Sequence, residues 1–211
     1  MKVNIPTRRT QAQRTAATRA LLLGHARRLF AHKGFADVST QAIVEAAGVT
    51  RGALYHQFSD KTALFAEVYE QVEREIVADV VDRIMAAQAP DPAQSPDPVQ
   101  AMRLGARLFL DRCSAPDVQR IVLVDAPAVL GWDRWRAVGV KYGLGVIEGM
   151  LVQAIAAGAI PEQPVRPSAH VLLGALDEAA LYVSRAADPD QAKEEMYAVC
   201  DRILRGIAAR P

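Results

Sequence analysis

The sequence predicts an all-α fold of about nine helices, and three observations carry this prediction. Apolar residues recur at spacings of three and four through most of the 211 residues, as they do on the buried face of a helix. Runs that alternate between apolar and polar residues, which would indicate strands, are missing. Most of the prolines fall between the periodic segments, where they separate helices instead of interrupting them.

The chain is expected to begin with a tail and a helix. Residues 1–14 are polar and basic, which is typical of a flexible tail. Its arginines could enter a minor groove as an arm, or they could simply remain solvated. A helix over about residues 15–33 follows. Gly34 is expected to end it in the left-handed conformation, with Phe35 folding back onto the last turn.

Two short helices separated by a glycine turn are predicted next. Ser39 and Thr50 each stand at a helix start, where a hydroxyl oxygen can accept a hydrogen bond from a free backbone N–H. An apolar residue on either side of each cap can form a hydrophobic staple. The first helix ends near Ala47, and Gly48 turns the chain into the second. This pattern predicts a helix-turn-helix unit.

In such a unit the second helix presents its N-terminal residues to the major groove of DNA. Arg51 can pair with guanine, or it can contact phosphate alone, and Gly52 allows the backbone to come close. His56 could meet a phosphate or could be a solvated histidine. The predicted DNA-binding residues are Ser39, Thr40, Gln41, Thr50, Arg51, Gly52, Leu54, Tyr55, His56 and Lys61.

The charge distribution supports a polyanionic partner at this end of the chain. Residues 1–61 contain ten basic and three acidic side chains and carry +7, whereas the whole chain carries +1. The remainder therefore carries −6. A basic end on an acidic body is expected where only one end meets DNA, although a solvated charged face is the simple alternative.

The stretch VSTQAIVEAAGVTRGALYHQFSDKTALFAEV, residues 38–68, resembles the DNA-binding domain of the TetR family of bacterial regulators. The similarity rests on the Ala47–Gly48–Val49 turn, the Leu54–Tyr55 pair, the aromatic Phe58 and the Asp60–Lys61 helix start. It implies a homodimer of all-helical subunits, usually a repressor. In that family the C-terminal domain binds a small molecule, which moves the two DNA-binding heads apart.

The rest of the chain is predicted to be helical as well. A fourth helix opens near Ser59 or Asp60 and ends before Pro90, and the proline-rich residues 89–98 form a connection. Further helices are expected near 99–113, 117–130, 132–158, 166–186 and 189–208. We predict three regions: a flexible basic tail (1–14), a DNA-binding domain (15–68) and an effector-binding and dimerisation domain (69–211).

One C-terminal helix is apolar on nearly all sides, over VLLGALDEAALYV (residues 171–183). A helix of this kind must be covered on more than one side, either by a second copy of the chain or by the core of a monomer. With the helix that follows, it could form half of a four-helix dimer interface. The predicted interface residues are Leu173, Gly174, Leu176, Ala179, Ala180, Val183, Met196, Val199 and Ile203.

Aromatic and methionine side chains in the middle of the chain could line an apolar ligand cavity, or they could simply fill the core. Asp125 lies in an apolar run and needs a partner, either a ligand or a backbone N–H at a helix start. His170 raises the same question. The predicted cavity residues are Met102, Phe109, Asp125, Trp132, Trp135, Tyr142, Met150 and His170.

The sequence contains no pattern typical of an enzyme, a cofactor site or a metal site. Cys113 and Cys200 are far apart, without metal-site spacing, which suits a reducing cytoplasm. No signal-peptide pattern and no run of about 18 uncharged apolar residues is found, so we expect a cytoplasmic protein without a membrane partner.

The sequence therefore predicts a non-enzymatic, homodimeric repressor that binds a palindromic DNA operator and is released by a small-molecule effector. Neither cofactor nor metal is expected. Two alternatives remain open. One is a non-specific architectural DNA-binding protein. The other is a helical ligand-binding protein or enzyme whose N-terminal unit is vestigial.

Overall fold

The computed structural model describes residues 10–88 and 97–208, and these residues contain nine helices. No strand occurs among these residues, so the predicted all-α class is confirmed. The helices are α1 (Gln11–Lys33), α2 (Thr40–Ala47), α3 (Arg51–Gln57), α4 (Lys61–Gln88), α5 (Pro98–Cys113), α6 (116–130), α7 (Trp132–Ala156), α8 (Val165–Arg185) and α9 (Pro189–Ala208).

Helices α6 and α7 each contain a π-helical segment. In α6 the segment Gln119–Asp125 lies between the short α-helical pieces Pro116–Val118 and Ala126–Leu130. In α7 the segment Val140–Leu144 joins Trp132–Gly139 to Gly145–Ala156. The spacing of apolar residues predicts continuous helices here, because it does not distinguish a rare π-helical turn from an α-helical one.

The chain divides into two compact units, Met1–Val68 and Tyr69–Pro211. The first unit contains α1, α2, α3 and the first residues of α4. The second contains the remainder of α4 and helices α5 to α9. The roles assigned to these units, DNA binding for the first and effector binding with dimerisation for the second, stay predictions.

Helix α1 begins four residues earlier than the sequence analysis expected. The Thr10 side chain accepts a hydrogen bond from the backbone of Gln13, and the Gln13 side chain accepts one from the backbone of Thr10. This capping box fixes the helix start. Residues 11–14 are therefore helical, which corrects that part of the predicted tail. Residues 1–9 lie outside the described residues.

The caps of the two short helices are those that the sequence predicted. Ser39 accepts from the backbone N–H of Ala42 at 3.1 Å, and Thr50 accepts from that of Ala53 at 3.2 Å. Gly48 adopts the left-handed conformation with φ 64° and ψ 33°. Gly34 also has a positive φ of 81°, but its ψ of 163° is extended, so it ends α1 in a different conformation from the one expected.

An aromatic cluster closes the core of the first unit. The rings of Phe30 and Phe35 lie 5.8 Å apart, and Phe65 packs edge-on against both of them, at 5.2 and 5.1 Å. Phe35 thus folds back onto the last turn of α1, as predicted. Helix α1 packs against both α2 and α3. The fully buried residues between them are Leu22, Ala26, Phe30, Ile43 and Leu54.

The second unit is a helical bundle in which α8 and α9 pack against each other and against α5. Helix α5 starts at a cap, where Asp97 accepts hydrogen bonds from the backbone of Val99 and Gln100. Buried apolar residues of α4 and α5 form a cluster, onto which Phe109 and Met150 pack. Residues 89–96 of the predicted connection lie outside the described residues.

One described helix, Trp132–Ala156, is long and apolar enough to cross a membrane when judged by length and mean hydropathy alone. The same criterion is met by core helices of proteins that never enter a membrane. Two charged residues of its apolar part are ion-paired: Lys141 with Glu70, and Glu148 with Arg166. A single stretch of this kind is weak evidence for a membrane span.

Candidate functional site

The first turn of α3 presents three exposed residues, Thr50, Arg51 and Gly52. Thr50 caps the helix, Arg51 begins it, and Gly52 leaves the backbone uncovered. A Cβ atom added at Gly52 would meet only the Thr50 hydroxyl oxygen, at 3.9 Å. The fold therefore does not require glycine here, whereas close approach of a second molecule to the backbone does favour it.

Tyr55 links α3 to α2 while remaining accessible, with 44% of its surface exposed. Hydrogen bonds with Thr40 and then with Arg51 lower the pKa of the Tyr55 phenol. The Arg51 guanidinium lies 5.7 Å from the centre of the Tyr55 ring. These contacts hold two polar side chains in a fixed relation on an exposed surface, which is useful for recognition because little side-chain entropy remains to be lost.

Among the other polar residues predicted to contact DNA, Ser39, Gln41 and His56 are exposed, whereas Thr40 and Lys61 are only partly exposed. Ser39 caps α2, and the amide of Gln41 donates to the Glu45 carboxylate at 2.7 Å. His56 lies in the last turn of α3. Their accessibility is what a contact with DNA requires, but contact itself stays a prediction.

Leu54 does not belong to this surface. Its exposure is 0%, because it faces the core between α1, α2 and α3. Leu54 lies within the helix expected to enter the groove, which is the reason for the prediction that it contacts DNA. In a helix that packs on its neighbours one side must face inward, and Leu54 occupies that side. The prediction that Leu54 contacts DNA is corrected on this ground.

Lys61 has an internal role that the sequence analysis did not foresee. Its ammonium group is partly buried and donates to the carbonyl oxygens of Phe35 and Val38, each at 2.9 Å. These oxygens belong to the segment between α1 and α2. Of the three ammonium donors, two are therefore used inside the first unit.

The second unit contains an apolar cavity of about 110 Å³. Its lining comes from α4, α5, α7, α8 and α9. Met102, Phe109 and Met150, three of the predicted cavity residues, are part of it. The lining also includes Gly139, which precedes the π-helical segment of α7, and Gly143, which belongs to that segment. That a ligand binds here stays a prediction.

The structure places the other predicted cavity residues elsewhere. Trp135 is buried, and its indole N–H donates to the Val122 carbonyl oxygen at 2.9 Å. Asp125 is also buried and lies 3.4 Å from the Arg120 guanidinium.

The remaining three predicted cavity residues face outward or pair with a neighbour. Trp132 is 58% exposed, and His170 is exposed as well. The Tyr142 hydroxyl donates to Glu70 at 2.6 Å. Each of these side chains meets either a local polar partner or solvent, so none has a side chain turned into the cavity.

Two acidic residues that the sequence analysis did not propose line the cavity, Glu73 and Asp177. Burial, together with the nearby charge of Asp177, raises the pKa of Glu73 to about 7, although a hydrogen bond with Tyr69 opposes this shift. Burial also raises the pKa of Asp177 to about 6, although its ion pair with Arg136 opposes this shift. Glu73 lies four residues after Tyr69 and four residues before Val77. An acidic residue on this otherwise apolar stripe is the sequence feature from which its place in the cavity could have been predicted.

The predicted dimer residues fall into two groups. Leu173, Ala179, Ala180 and Val183 are buried within the chain itself and have little surface left for a partner. Gly174, Leu176 and Met196 are partly exposed, and Val199 and Ile203 are exposed. Among large apolar side chains of α8, it is Val171 and Tyr182 that face outward.

No group of three or more histidine, cysteine or acidic residues suited to a metal ion is found in residues 10–88 and 97–208. Both cysteines are buried and unpaired. Burial raises the pKa of the Cys113 thiol well above its usual value, which makes it a poor nucleophile.

Comparison with known families agrees with this arrangement. Residues 22–68 match the family model of "Bacterial regulatory proteins, tetR family", and residues 99–207 match "Tetracyclin repressor-like, C-terminal domain". The first match contains α2 and α3 with their caps. The second contains most of the cavity lining.

Individual relatives show the same similarity. A crystal structure of a TetR-family transcriptional regulator from Pectobacterium atrosepticum superimposes with a TM-score of 0.81 at 32% identity, covering 96% of this chain and all (100%) of that one. The regulator AcrR of Shigella flexneri is 44% identical over 68 residues, 32% of each chain. The regulator CymR of Pseudomonas putida is 31% identical over 125 residues, 59% of this chain and 60% of that protein.

The chain thus matches about a third of AcrR and three-fifths of CymR. The C-terminal family model alone covers more than half of the residues, and the Pectobacterium structure is similar over nearly the full length. This chain belongs to the TetR family of bacterial transcriptional regulators.

Proposed function

We propose that the protein is a sequence-specific DNA-binding repressor that acts as a homodimer and is released from its operator by a small molecule. The observation that carries the proposal is the exposed first turn of α3, where Thr50, Arg51 and Gly52 stand on a capped, well-packed helix. In this proposal the protein acts as a regulator and not as an enzyme, and it works in the bacterial cytoplasm.

The DNA contacts follow from the chemistry of this surface. Arg51 reaches a base edge or a phosphate from the N-terminus of α3, while Tyr55 and His56 meet phosphates. Gly52 allows the backbone to approach the groove. The +7 charge of residues 1–61 supplies the long-range attraction.

A homodimer doubles this surface. Two α3 helices separated by one turn of DNA, about 34 Å, match a palindromic operator. We propose that α8 and α9 form the dimer interface through exposed side chains, which include Val171, Tyr182, Val199 and Ile203. Four helices, two from each subunit, then pack together.

The cavity of the second unit is the proposed effector site. In this proposal the dimer has one form that fits the operator and one that does not. A ligand that binds more tightly to the second form shifts the dimer toward it, and the difference between its affinities for the two forms sets how far operator occupancy falls. The apolar lining favours a small hydrophobic molecule.

Fluorescence anisotropy with the purified full-length protein tests DNA recognition. Labelled duplexes from the region upstream of its own gene are compared with random duplexes of equal length at several salt concentrations. We expect tight binding to at least one upstream duplex. Equal, weak and strongly salt-dependent affinity for all duplexes would indicate a non-specific architectural DNA-binding protein instead.

A charge-matched pair of variants locates the binding surface. Arg51→Ala combined with Tyr55→Ala is expected to abolish specific binding, whereas Arg134→Ala, at an exposed position of α7 outside the proposed dimer interface, leaves it unchanged. If the double variant binds DNA as well as the wild type, a helical ligand-binding protein or enzyme with a vestigial N-terminal unit is the better description.

A further inference from the structure

The cavity of the second unit has an unusual combination of lining groups. Most of its lining residues are apolar, and they include two methionines and Phe109. The charged side chains in its lining, among the described residues, are both acidic: Glu73 on α4 and Asp177 on α8. A neutral hydrophobic ligand gains no ion pair from these two carboxyl groups.

The two carboxyl groups differ in their partners. Asp177 is ion-paired with Arg136 of α7, whose guanidinium also reaches the His170 carbonyl oxygen at 3.5 Å. Glu73 is 8% exposed and forms no ion pair with a lysine, arginine or histidine of the described residues. Its surroundings are Tyr69 on the same helix, Asp177 on α8 and the Cys113 thiol on α5.

A buried carboxylate without a cation is costly, so it either takes up a proton or finds a positive partner. The raised pKa of Glu73, about 7, shows how strongly burial and the neighbouring Asp177 disfavour the ionised form. A ligand that brings a positive charge into the cavity reverses this balance, because it provides the missing counter-ion in a site of low dielectric constant.

As a refinement of the effector site proposed above, we infer that this cavity binds a small lipophilic amine in its ammonium form. The apolar part of the ligand packs among the side chains of α5, α7 and α8. The ammonium group donates to the carboxylate of Glu73. Asp177 stays paired with Arg136 and contributes a second, partly neutralised negative charge.

Binding of the ammonium ion is coupled to loss of the Glu73 proton. Affinity for an amine therefore rises with pH through the pKa of Glu73 and levels off above it. With a pKa of about 7, we expect roughly a tenfold gain in affinity between pH 6 and pH 8. An uncharged ligand of the same shape gains nothing over this range.

Isothermal titration of the full-length protein in the absence of DNA tests the inference with three ligands of similar shape. Phenethylamine is a cation, 2-phenylethanol is neutral and phenylacetate is an anion. We expect phenethylamine to bind at least tenfold more tightly than 2-phenylethanol at pH 8, and phenylacetate to bind least. An amine that does not bind, or binds no better than the alcohol, overturns the inference.

Two variants test whether the charge of Glu73, and not the shape of the cavity or the charge of the protein surface, strengthens amine binding. Glu73→Gln keeps the shape of the side chain and is expected to lower phenethylamine affinity at least tenfold, with 2-phenylethanol affinity unchanged. Asp79→Asn, an exposed acid of the same helix, is the matched control and should change neither. If Asp79→Asn weakens amine binding as much as Glu73→Gln does, a general effect of surface charge replaces the inference.

Gly139→Val tests the location. A Cβ at Gly139 would meet no atom within 4 Å, and Gly139 lines the cavity, so a valine there fills space that a ligand needs. Both phenethylamine and 2-phenylethanol should bind more weakly, whereas unchanged amine binding would place the site elsewhere and overturn the inference. Since no DNA is present, loss of amine binding and loss of operator binding are measured separately.

Discussion

The ammonium nitrogen of Lys61 lies 4.0 Å from the centre of the Phe35 ring and donates a hydrogen bond to the Phe35 carbonyl oxygen at 2.9 Å. Together with its second bond, to Val38, this contact joins the first turn of α4 to the segment between α1 and α2. Lys61 is therefore a structural residue of the first unit.

We expect Lys61→Ala to destabilise the first unit by about 1–3 kcal/mol, since charged donors to two carbonyl oxygens are lost. Lys33→Ala removes the same charge from an exposed position at the end of α1 and should leave stability unchanged. Urea unfolding of both variants measures the difference. Equal stabilities with a weaker salt dependence of DNA binding in Lys61→Ala would instead assign Lys61 to phosphate contact.

Leu54 provides a test of the corrected DNA surface. Because it is fully buried, Leu54→Ala should lower the free energy of unfolding by about 2–5 kcal/mol, and DNA binding should be lost with the fold. Leu21→Ala is the control, since Leu21 on α1 is 47% exposed. Circular dichroism during thermal unfolding would reveal a native-like Leu54→Ala if this assignment to the core were wrong.

Two glycines of the helix-turn-helix unit should respond in opposite ways to alanine. Gly48→Ala places a side chain in the left-handed region, at φ 64°, and should cost about 1–2 kcal/mol of stability. Gly52→Ala lies within α3 and should gain up to about 1 kcal/mol while weakening operator binding. Thermal unfolding and anisotropy on the same preparations check both effects, and undiminished operator binding by Gly52→Ala would argue against close backbone approach.

The buried acid of the cavity predicts how stability depends on pH. The folded chain raises the pKa of Glu73 from 4.5 to about 7, so it holds a proton that the unfolded chain releases. Stability from this group is full below pH 4.5 and is lost as pH rises to about 7. Relative to Glu73→Gln, the wild type should lose about 3 kcal/mol over this range. Chemical denaturation across the pH series measures it, and parallel curves for the two proteins would contradict it.

The proposed dimer interface can be tested with two valines. Val199 on α9 is 37% exposed and Val152 on α7 is 53% exposed, so glutamate at either position should leave the subunit folded. We expect Val199→Glu to give monomers in sedimentation velocity, whereas Val152→Glu stays dimeric. The opposite result would move the interface to α7.

The parts of the fold that depend on neighbouring residues could be predicted from the sequence. Ser39 and Thr50 cap their helices through atoms three residues away, and Gly48 supplies a conformation that other residues rarely adopt. Such signals are complete within a few positions. The start of α1 was placed too late because Thr10 and Gln13 cap it before any apolar stripe begins.

The cavity could be predicted only in part, because five helices contribute to it. Trp135 was assigned to it as a large aromatic residue, but its N–H is satisfied by a backbone carbonyl inside the bundle. Glu73 was missed because its burial depends on α5 and α8, which are distant in sequence. Leu54 shows the same limit on a smaller scale, since its orientation depends on how α3 packs against α1.

The π-helical segment Val140–Leu144 is a part of α7 from which one residue could be deleted without breaking the helix. A π-helical turn takes in one residue more than an α-helical turn, so deletion of one residue there can be absorbed by a return to α-helical geometry. The same deletion within a regular helix rotates every later side chain by about 100°. We expect single-codon deletions at this segment to reshape the cavity wall while sparing the helices that follow.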